Sequence, residues 1–126
     1  MDLLLDTHAF IWWDERDRRL DENAAAAVAN VENRVFVSAA SIWEISIKRM
    51  LGKLRFRPDA LEAVRLNGFE PLGITLQHAD IAGSLPLHHT DPFDRLLVAQ
   101  AKIEGFVLVT QDRRLAPYGV PILGVV

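Results

Sequence analysis

The sequence predicts an α/β fold, a three-layer α/β/α sandwich with a central, mostly parallel sheet. Two observations carry this. Short apolar runs alternate with helical patterns along the chain, and the runs are apolar throughout rather than at every second position. A strand with alternating residues has one wet face, whereas a wholly apolar strand must be covered on both faces, as parallel strands are when helices connect them.

The elements follow in order. Residues 3–5 are the first strand, and a short helical piece covers 7–13. An alanine-rich helix spans 21–31 with Asp21 as its N-cap. The second strand is 35–37, followed by a helix over 39–51 that ends at Gly52 and another over 58–66 that ends before Asn67-Gly68. The third strand is 71–74, and a second short helical piece covers 77–84. Residues 85–90 form the longest loop. A helix over 92–104 has Asp91 as N-cap, Pro92 at its first position and Gly105 as its stop. The last strands, 106–109 and 121–125, are rich in β-branched valine.

At 126 residues the chain fits one domain, 1–126, with no repeat, linker or low-complexity segment. It has no cysteine, so disulfides, thiolate zinc sites and cysteine nucleophiles are excluded, which suits a reducing, cytoplasmic setting. No run approaches the roughly 18 apolar residues of a membrane span, and the N-terminus does not resemble a signal peptide. A net charge of -3 argues against binding nucleic acid by bulk electrostatics, leaving a local basic face as the alternative.

Four acids stand against apolar segments. Asp6 closes Leu3-Leu4-Leu5, Glu44 lies in Ser41-Ile42-Trp43-Glu44-Ile45, Asp94 opens Asp94-Arg95-Leu96-Leu97-Val98-Ala99, and Asp112 follows Phe106-Val107-Leu108-Val109. In open parallel sheets, sites form outside the carboxyl ends of the strands. Asp6 and Asp112 follow strands, Glu44 lies in the helix entered from the second strand, and Asp94 is at a helix start with Leu97, Val98 and Ala101 on its stripe. Each also has a local reading: Asp6 as a cap, Glu44 paired with Lys48, Asp94 in a capping arrangement with Asp91, and Asp112 in an Asx turn. Taken together they need more. Two carboxylates about 5 Å apart repel by roughly 3 kcal/mol, so four in one pocket require protonation or a cation. An all-carboxylate donor set suits Mg²⁺ or Mn²⁺, whereas zinc would usually recruit His or Cys.

The motifs Leu4-Leu5-Asp6-Thr7-His8, Ser41-Ile42-Trp43-Glu44-Ile45, Asp91-Pro92-Phe93-Asp94-Arg95-Leu96-Leu97-Val98-Ala99-Gln100-Ala101 and Leu108-Val109-Thr110-Gln111-Asp112 occur in this order over nearly the whole chain. In them the sequence resembles PIN domains, and among these the VapC-type toxin ribonucleases of toxin-antitoxin pairs. The resemblance implies metal-binding acids at Asp6, Glu44, Asp94 and Asp112, a hydroxyl that orders the site at Thr110, and an accessory acid at Asp91. It further implies Mg²⁺- or Mn²⁺-assisted hydrolysis of RNA, a small cognate antitoxin that buries a helix in an apolar groove and covers the active site, and a homodimer. A PIN-like nuclease acting in RNA processing or on structured DNA, without an antitoxin, is the alternative.

Lys48-Arg49-Met50-Leu51-Gly52-Lys53-Leu54-Arg55-Phe56-Arg57 carries five basic residues and no acid, and Lys48 and Arg49 are candidate RNA contacts beside the acidic pocket, or an ordinary solvated helix end. Arg95, Arg113 and Arg114 adjoin the acids, where a guanidinium either grips a phosphate or balances the carboxylates, with Arg95 as the candidate RNA contact. His8 reads as structural, and His88-His89 as a loop pair without chemistry. Of Trp12 and Trp13, both are expected in the core, unless one of them serves a partner surface. Two other catalytic classes fail on particular residues: a receiver domain lacks its lysine after the late strands, and a haloacid-dehalogenase-type phosphatase would need Asp where His8 stands. A non-enzymatic interaction module, with its acids as caps and ion pairs, remains the contrasting reading.

Overall fold

The computed structural model describes residues 1–125. Its five strands are β1 (Asp2–Leu5), β2 (Arg34–Ser38), β3 (Glu70–Leu72), β4 (Val107–Val109) and β5 (Ile122–Leu123). Every pairing is parallel and the order is β3-β2-β1-β4-β5. Helices α1 (Thr7–Asp14), α2 (Glu22–Ala29), α3 (Ala39–Met50), α4 (Ala60–Leu66), α5 (Leu76–Ser84) and α6 (Pro92–Glu104) connect them, and a 3-10 turn spans Arg113–Tyr118.

The pleat of β1 explains the layers. Leu3 and Leu5 point into a core shared with Phe10 of α1, Ala24 of α2 and Val64 of α4, while Leu4 points into a second core with Leu97 and Val98 of α6 and Ala82 of α5. All three leucines are fully buried, which is what a wholly apolar strand requires. Burial of each contributes about 2 kcal/mol. Register carries this to the neighbours: Leu3 and Leu5 stand opposite Val35 and Val37 on one side and Val107 and Val109 on the other. The sandwich is therefore three-layered.

The expected elements are present with small shifts at their ends. Helix α6 has the expected bounds, with Asp91 capping it and Gly105 closing it in the left-handed region at φ 75°. Strand β5 is confined to two residues of the expected five, and β3 begins at Glu70. Two expectations are corrected. The longest loop is 51–59, between α3 and α4, rather than 85–90, because Pro58 lies outside α4 and Asp59 caps it. The 3-10 turn after Asp112 was not expected; Pro117 inside it obscures a helical pattern.

Gly124 lies at φ 113°, and a Cβ there would meet the Thr110 carbonyl oxygen at 2.7 Å. Gly124→Ala is expected to destabilise the fold by roughly 1–3 kcal/mol, read from denaturant melts, because backbone rather than a flexible side chain must yield.

Candidate metal centre

From β1 the chain moves to β2 and β3 on one side, then crosses to β4 on the other. The switch point lies between β1 and β4, where departing loops leave a crevice. The Asp6 amide bonds the Val109 carbonyl at 3.0 Å, which extends the ladder one residue and fixes Asp6 at the crevice lip. Thr110 and Asp112 leave β4 beside it.

Asp6 does cap α1, since its Oδ1 accepts the Ala9 amide at 2.8 Å. The carboxylate is nevertheless buried, and burial raises its pKa against the opposing pull of the Thr110 hydroxyl and the Ala9 amide. Glu44 is buried in the second turn of α3. Its Oε1 accepts the Thr7 hydroxyl at 2.6 Å, and its Oε2 accepts Lys48 Nζ at 2.5 Å. With the Thr7 proton committed, the Ser41 hydroxyl 3.0 Å away donates to Thr7 in turn. Thr7 and Ser41 thus orient Glu44, a role their hydroxyls did not signal in the sequence.

Asp94 sits in the first turn of α6, where Asp91 caps the Phe93 amide at 2.8 Å and the Asp94 amide at 3.2 Å. Burial, followed by the charges of Asp91, Asp6, Glu44 and Asp112, pushes the Asp94 pKa up to about 7. All four acids are near enough to Asp94 for their charges to oppose its ionisation. Asp112 is biased the other way. Arg114 grips it with two bonds, at 3.0 and 2.8 Å, and lowers its pKa to about 2. The Thr110 hydroxyl accepts the Asp112 amide at 3.1 Å.

His89 joins the acids. Its Nε2 lies 3.0 Å from Asp112 Oδ2 and 3.3 Å from Asp94 Oδ2, and its Nδ1 accepts the Asp91 amide at 3.0 Å. Read from the sequence as half of a loop pair without chemistry, His89 is buried against two of the four acids. Its position three residues ahead of the Pro92 helix start, on the segment that delivers Asp91 and Asp94, was the available signal.

The candidate cations divide. Lys48 is paired with Glu44 and feels Asp91 and Asp94, so it lines the acidic pocket. Arg49 donates to the Pro58 carbonyl at 2.9 Å, tethering the long loop. Arg114 balances Asp112. The expectation that Arg95 contacts RNA is corrected, because its guanidinium is buried and donates to the carbonyls of Ala82 and Leu85 at 2.9 Å, Pro86 at 3.0 Å and His89 at 3.2 Å. His8 is exposed and stacks on Trp12, with ring centroids 5.4 Å apart.

Five carboxylates, Asp6, Glu44, Asp91, Asp94 and Asp112, thus face the two cations Lys48 and Arg114. Ligand atoms of His89, Asp94 and Asp112 lie within 4.8 Å of one another. This oxygen-dominated set with surplus negative charge fits a hard divalent cation. Such an ion would also offset the burial and the like charges that raise the Asp94 pKa.

A pH dependence follows. Between about pH 4 and 7, folded metal-free protein keeps a proton on Asp94 that the unfolded chain, with a carboxyl pKa of 3.8, has released. Stability therefore declines as pH rises across this window, by at most about 4 kcal/mol. The Asp112 contribution, whose pKa is lowered, is lost only as pH falls from 3.8 through about 2. Thermal melts in chelator are expected to show Asp94→Asn gaining on the wild type from pH 4 to pH 7, and a pH-independent gap would contradict this.

Comparison with known proteins agrees with this architecture. The model of the PIN domain family matches residues 3–120. Ribonuclease VapC22 of Mycobacterium tuberculosis is 33% identical over 127 residues, covering 94% of this chain and 93% of the relative. VapBC2 of Rickettsia felis, solved bound to a DNA fragment from its promoter, superposes with a TM-score of 0.69 at 13% identity over 98% of both chains. A toxin-antitoxin complex from Klebsiella pneumoniae gives a TM-score of 0.63 at 18% identity, covering 96% of this chain and 95% of that one. The two structures share the fold, and the match over residues 3–120 together with the 33% identical relative shows that this chain belongs to the PIN domain family, as a VapC-type member.

Proposed function

We propose that the protein is the toxin endoribonuclease of a toxin-antitoxin pair and cleaves RNA phosphodiester bonds by divalent-metal-assisted hydrolysis. The observation that carries the reading is the convergence of Asp6, Glu44, Asp94 and Asp112 at the β1/β4 crevice, with Asp94 raised to about 7 by burial and by its acidic neighbours. The ribonuclease name of the 33% identical relative supports the same chemistry.

Asp6 and Asp94 are the leading ligands for Mg²⁺ or Mn²⁺, with Glu44 and Asp112 completing the set directly or through water. A bound ion would supply an activated water and stabilise charge on the phosphate and leaving oxygen. The chain's residues prepare that site. Asp94 would bind a cation as the carboxylate, Thr7 and Lys48 orient Glu44, Arg114 and His89 orient Asp112, and Lys48 presents positive charge where a phosphate would approach. Thr110 and Asp91 act in support, by fixing the Asp112 and Asp94 amides.

Two grooves flank α4, and the mainly apolar one suits an antitoxin helix. One, about 440 Å³, is lined by Val37, Ile42, Leu61, Val64, Phe69 and Leu72. The other, about 860 Å³, is mixed, with Trp12, Trp13 and Leu20 beside Asp14, Arg16 and Arg18. The exposed side chains Trp43, Met50 and Leu51 make an apolar stripe on and just beyond α3 that supports a homodimer. Action on cellular RNA is consistent with a cytoplasmic protein, and among the described residues no helix is long and apolar enough to cross a membrane.

The test is 5′-end mapping of cellular RNA after brief expression of the wild type and of Asp94→Asn. A discrete cut present only with the wild type, and suppressed by co-expressing the product of a neighbouring short reading frame, is the expected result. Identical RNA ends in the two samples would sink the toxin reading.

A further inference from the structure

His89 touches the carboxylates of two of the four acids and is itself no carboxylate, and its geometry constrains what it can do. Its Nδ1 lies 3.0 Å from the Asp91 backbone amide. An amide can only donate, so Nδ1 must carry the lone pair and the ring proton must sit on Nε2. Asp91 cannot easily move to release this constraint, because its carboxylate caps α6 through the Phe93 and Asp94 amides at 2.8 and 3.2 Å. The cap of α6 therefore sets the tautomer of His89. The Nε2 proton then points between two acceptors, Asp112 Oδ2 at 3.0 Å and Asp94 Oδ2 at 3.3 Å.

Were Nε2 instead to bind a cation, the neutral ring's proton would lie on Nδ1, opposed to the Asp91 N–H across 3.0 Å. Two donors would face each other in a buried place. The loop is also held against reorientation. The His89 amide donates to the Tyr118 hydroxyl at 3.0 Å, its carbonyl accepts Arg95 at 3.2 Å, and the Tyr118 hydroxyl donates to the Pro86 carbonyl at 2.7 Å.

We propose that His89 is a positioning residue of the metal centre: its Nε2–H bridges the carboxylates of Asp94 and Asp112 and holds them together at the pocket, without ligating the cation itself. The proposal rests on the metal-nuclease reading above. A neutral donor suits this task, since it joins two acids that repel each other and adds no charge to compete with the cation. Bonds of this kind behind a metal site are commonly worth 10- to 100-fold in metal affinity.

The test uses the full chain and reads metal binding rather than cleavage. Mn²⁺ affinity is measured by titration calorimetry for the wild type, His89→Ala and His89→Gln, with thermal melts confirming that each folds. Nitrogen-15 NMR of the wild-type imidazole, with and without saturating Mg²⁺, locates the ring proton. His89→Ala is expected to weaken Mn²⁺ binding by about 10- to 100-fold, while His89→Gln, whose amide N–H replaces the donor but is a poor ligand, stays within about threefold of wild type. The proton is expected to remain on Nε2 when Mg²⁺ is bound. Loss of that proton on Mg²⁺ binding, wild-type Mn²⁺ affinity in His89→Ala, or a His89→Gln as weak as His89→Ala would each overturn the proposal alone. Absence of Mn²⁺ binding by the wild type would overturn the nuclease reading and this proposal with it.

Discussion

Asp94→Asn is expected to lower metal-dependent RNA cleavage by about 10³-fold or more, about 4 kcal/mol of transition-state stabilisation, and at the same time to raise the melting temperature of the metal-free protein at pH 7. The two effects have one cause. Asp94 is raised to about 7 because burial and then the charges of Asp91, Asp6, Glu44 and Asp112 oppose its ionisation. An uncharged amide of the same shape removes this cost, so the variant should melt roughly 5–10 °C higher in chelator. The same amide is a poor ligand and cannot supply the negative charge that a cation needs. Asp6→Asn should lose cleavage to a similar extent without unfolding α1, because Asn caps a helix about as well as Asp does. The measurements are cleavage of a defined RNA in Mn²⁺ and melting in chelator. A variant that cleaves normally, or one that is inactive because it is less stable, would contradict a shared acidic metal pocket.

The parts of this protein that the sequence disclosed are those set by position along a strand or helix. Leu3 to Leu5 are apolar without alternation because both faces of β1 are covered, and the same run places Asp6 at the carboxyl end of the strand that borders the switch point. Asp91 and Pro92 mark the start of α6, so Asp94 could be placed on its buried stripe before any coordinates. The parts that stayed hidden depend on side chains meeting across loops. His89 contacts Asp112, 23 residues later in the chain, and its ring is aimed by Asp91 and Tyr118. Apart from the place of His89 just ahead of α6, nothing local to His88-His89 distinguishes the buried ring from the exposed one. Arg95 misled for a related reason. An arginine beside a catalytic acid reads as a phosphate contact, yet the helical twist turns it about 100° away from Asp94 and into the loop behind α6.

That placement makes Arg95→Met the substitution with the largest expected effect on stability, a loss of about 3–5 kcal/mol. The guanidinium takes the place of a turn of hydrogen-bonded backbone: it satisfies the carbonyls of Ala82 and Leu85 as α5 ends, then those of Pro86 and His89 along the loop. Methionine fills similar space but leaves the buried Ala82 and Leu85 carbonyls without donors, and those of Pro86 and His89 with the Tyr118 hydroxyl alone. Arg95→Lys should recover little, because a single ammonium cannot reach acceptors that the planar fork meets from two nitrogens. The site should suffer along with the fold, since the loop released by the substitution is the one that carries His89 to Asp94 and Asp112. Arg95→Met is therefore expected to lower the melting temperature sharply and to weaken Mn²⁺ binding even at temperatures where the protein remains folded. An arginine that merely gripped RNA would behave oppositely, raising KM for RNA on loss while melting temperature and Mn²⁺ affinity stayed at wild-type values. Melting, Mn²⁺ titration and the KM for RNA, measured on one preparation, separate the two roles.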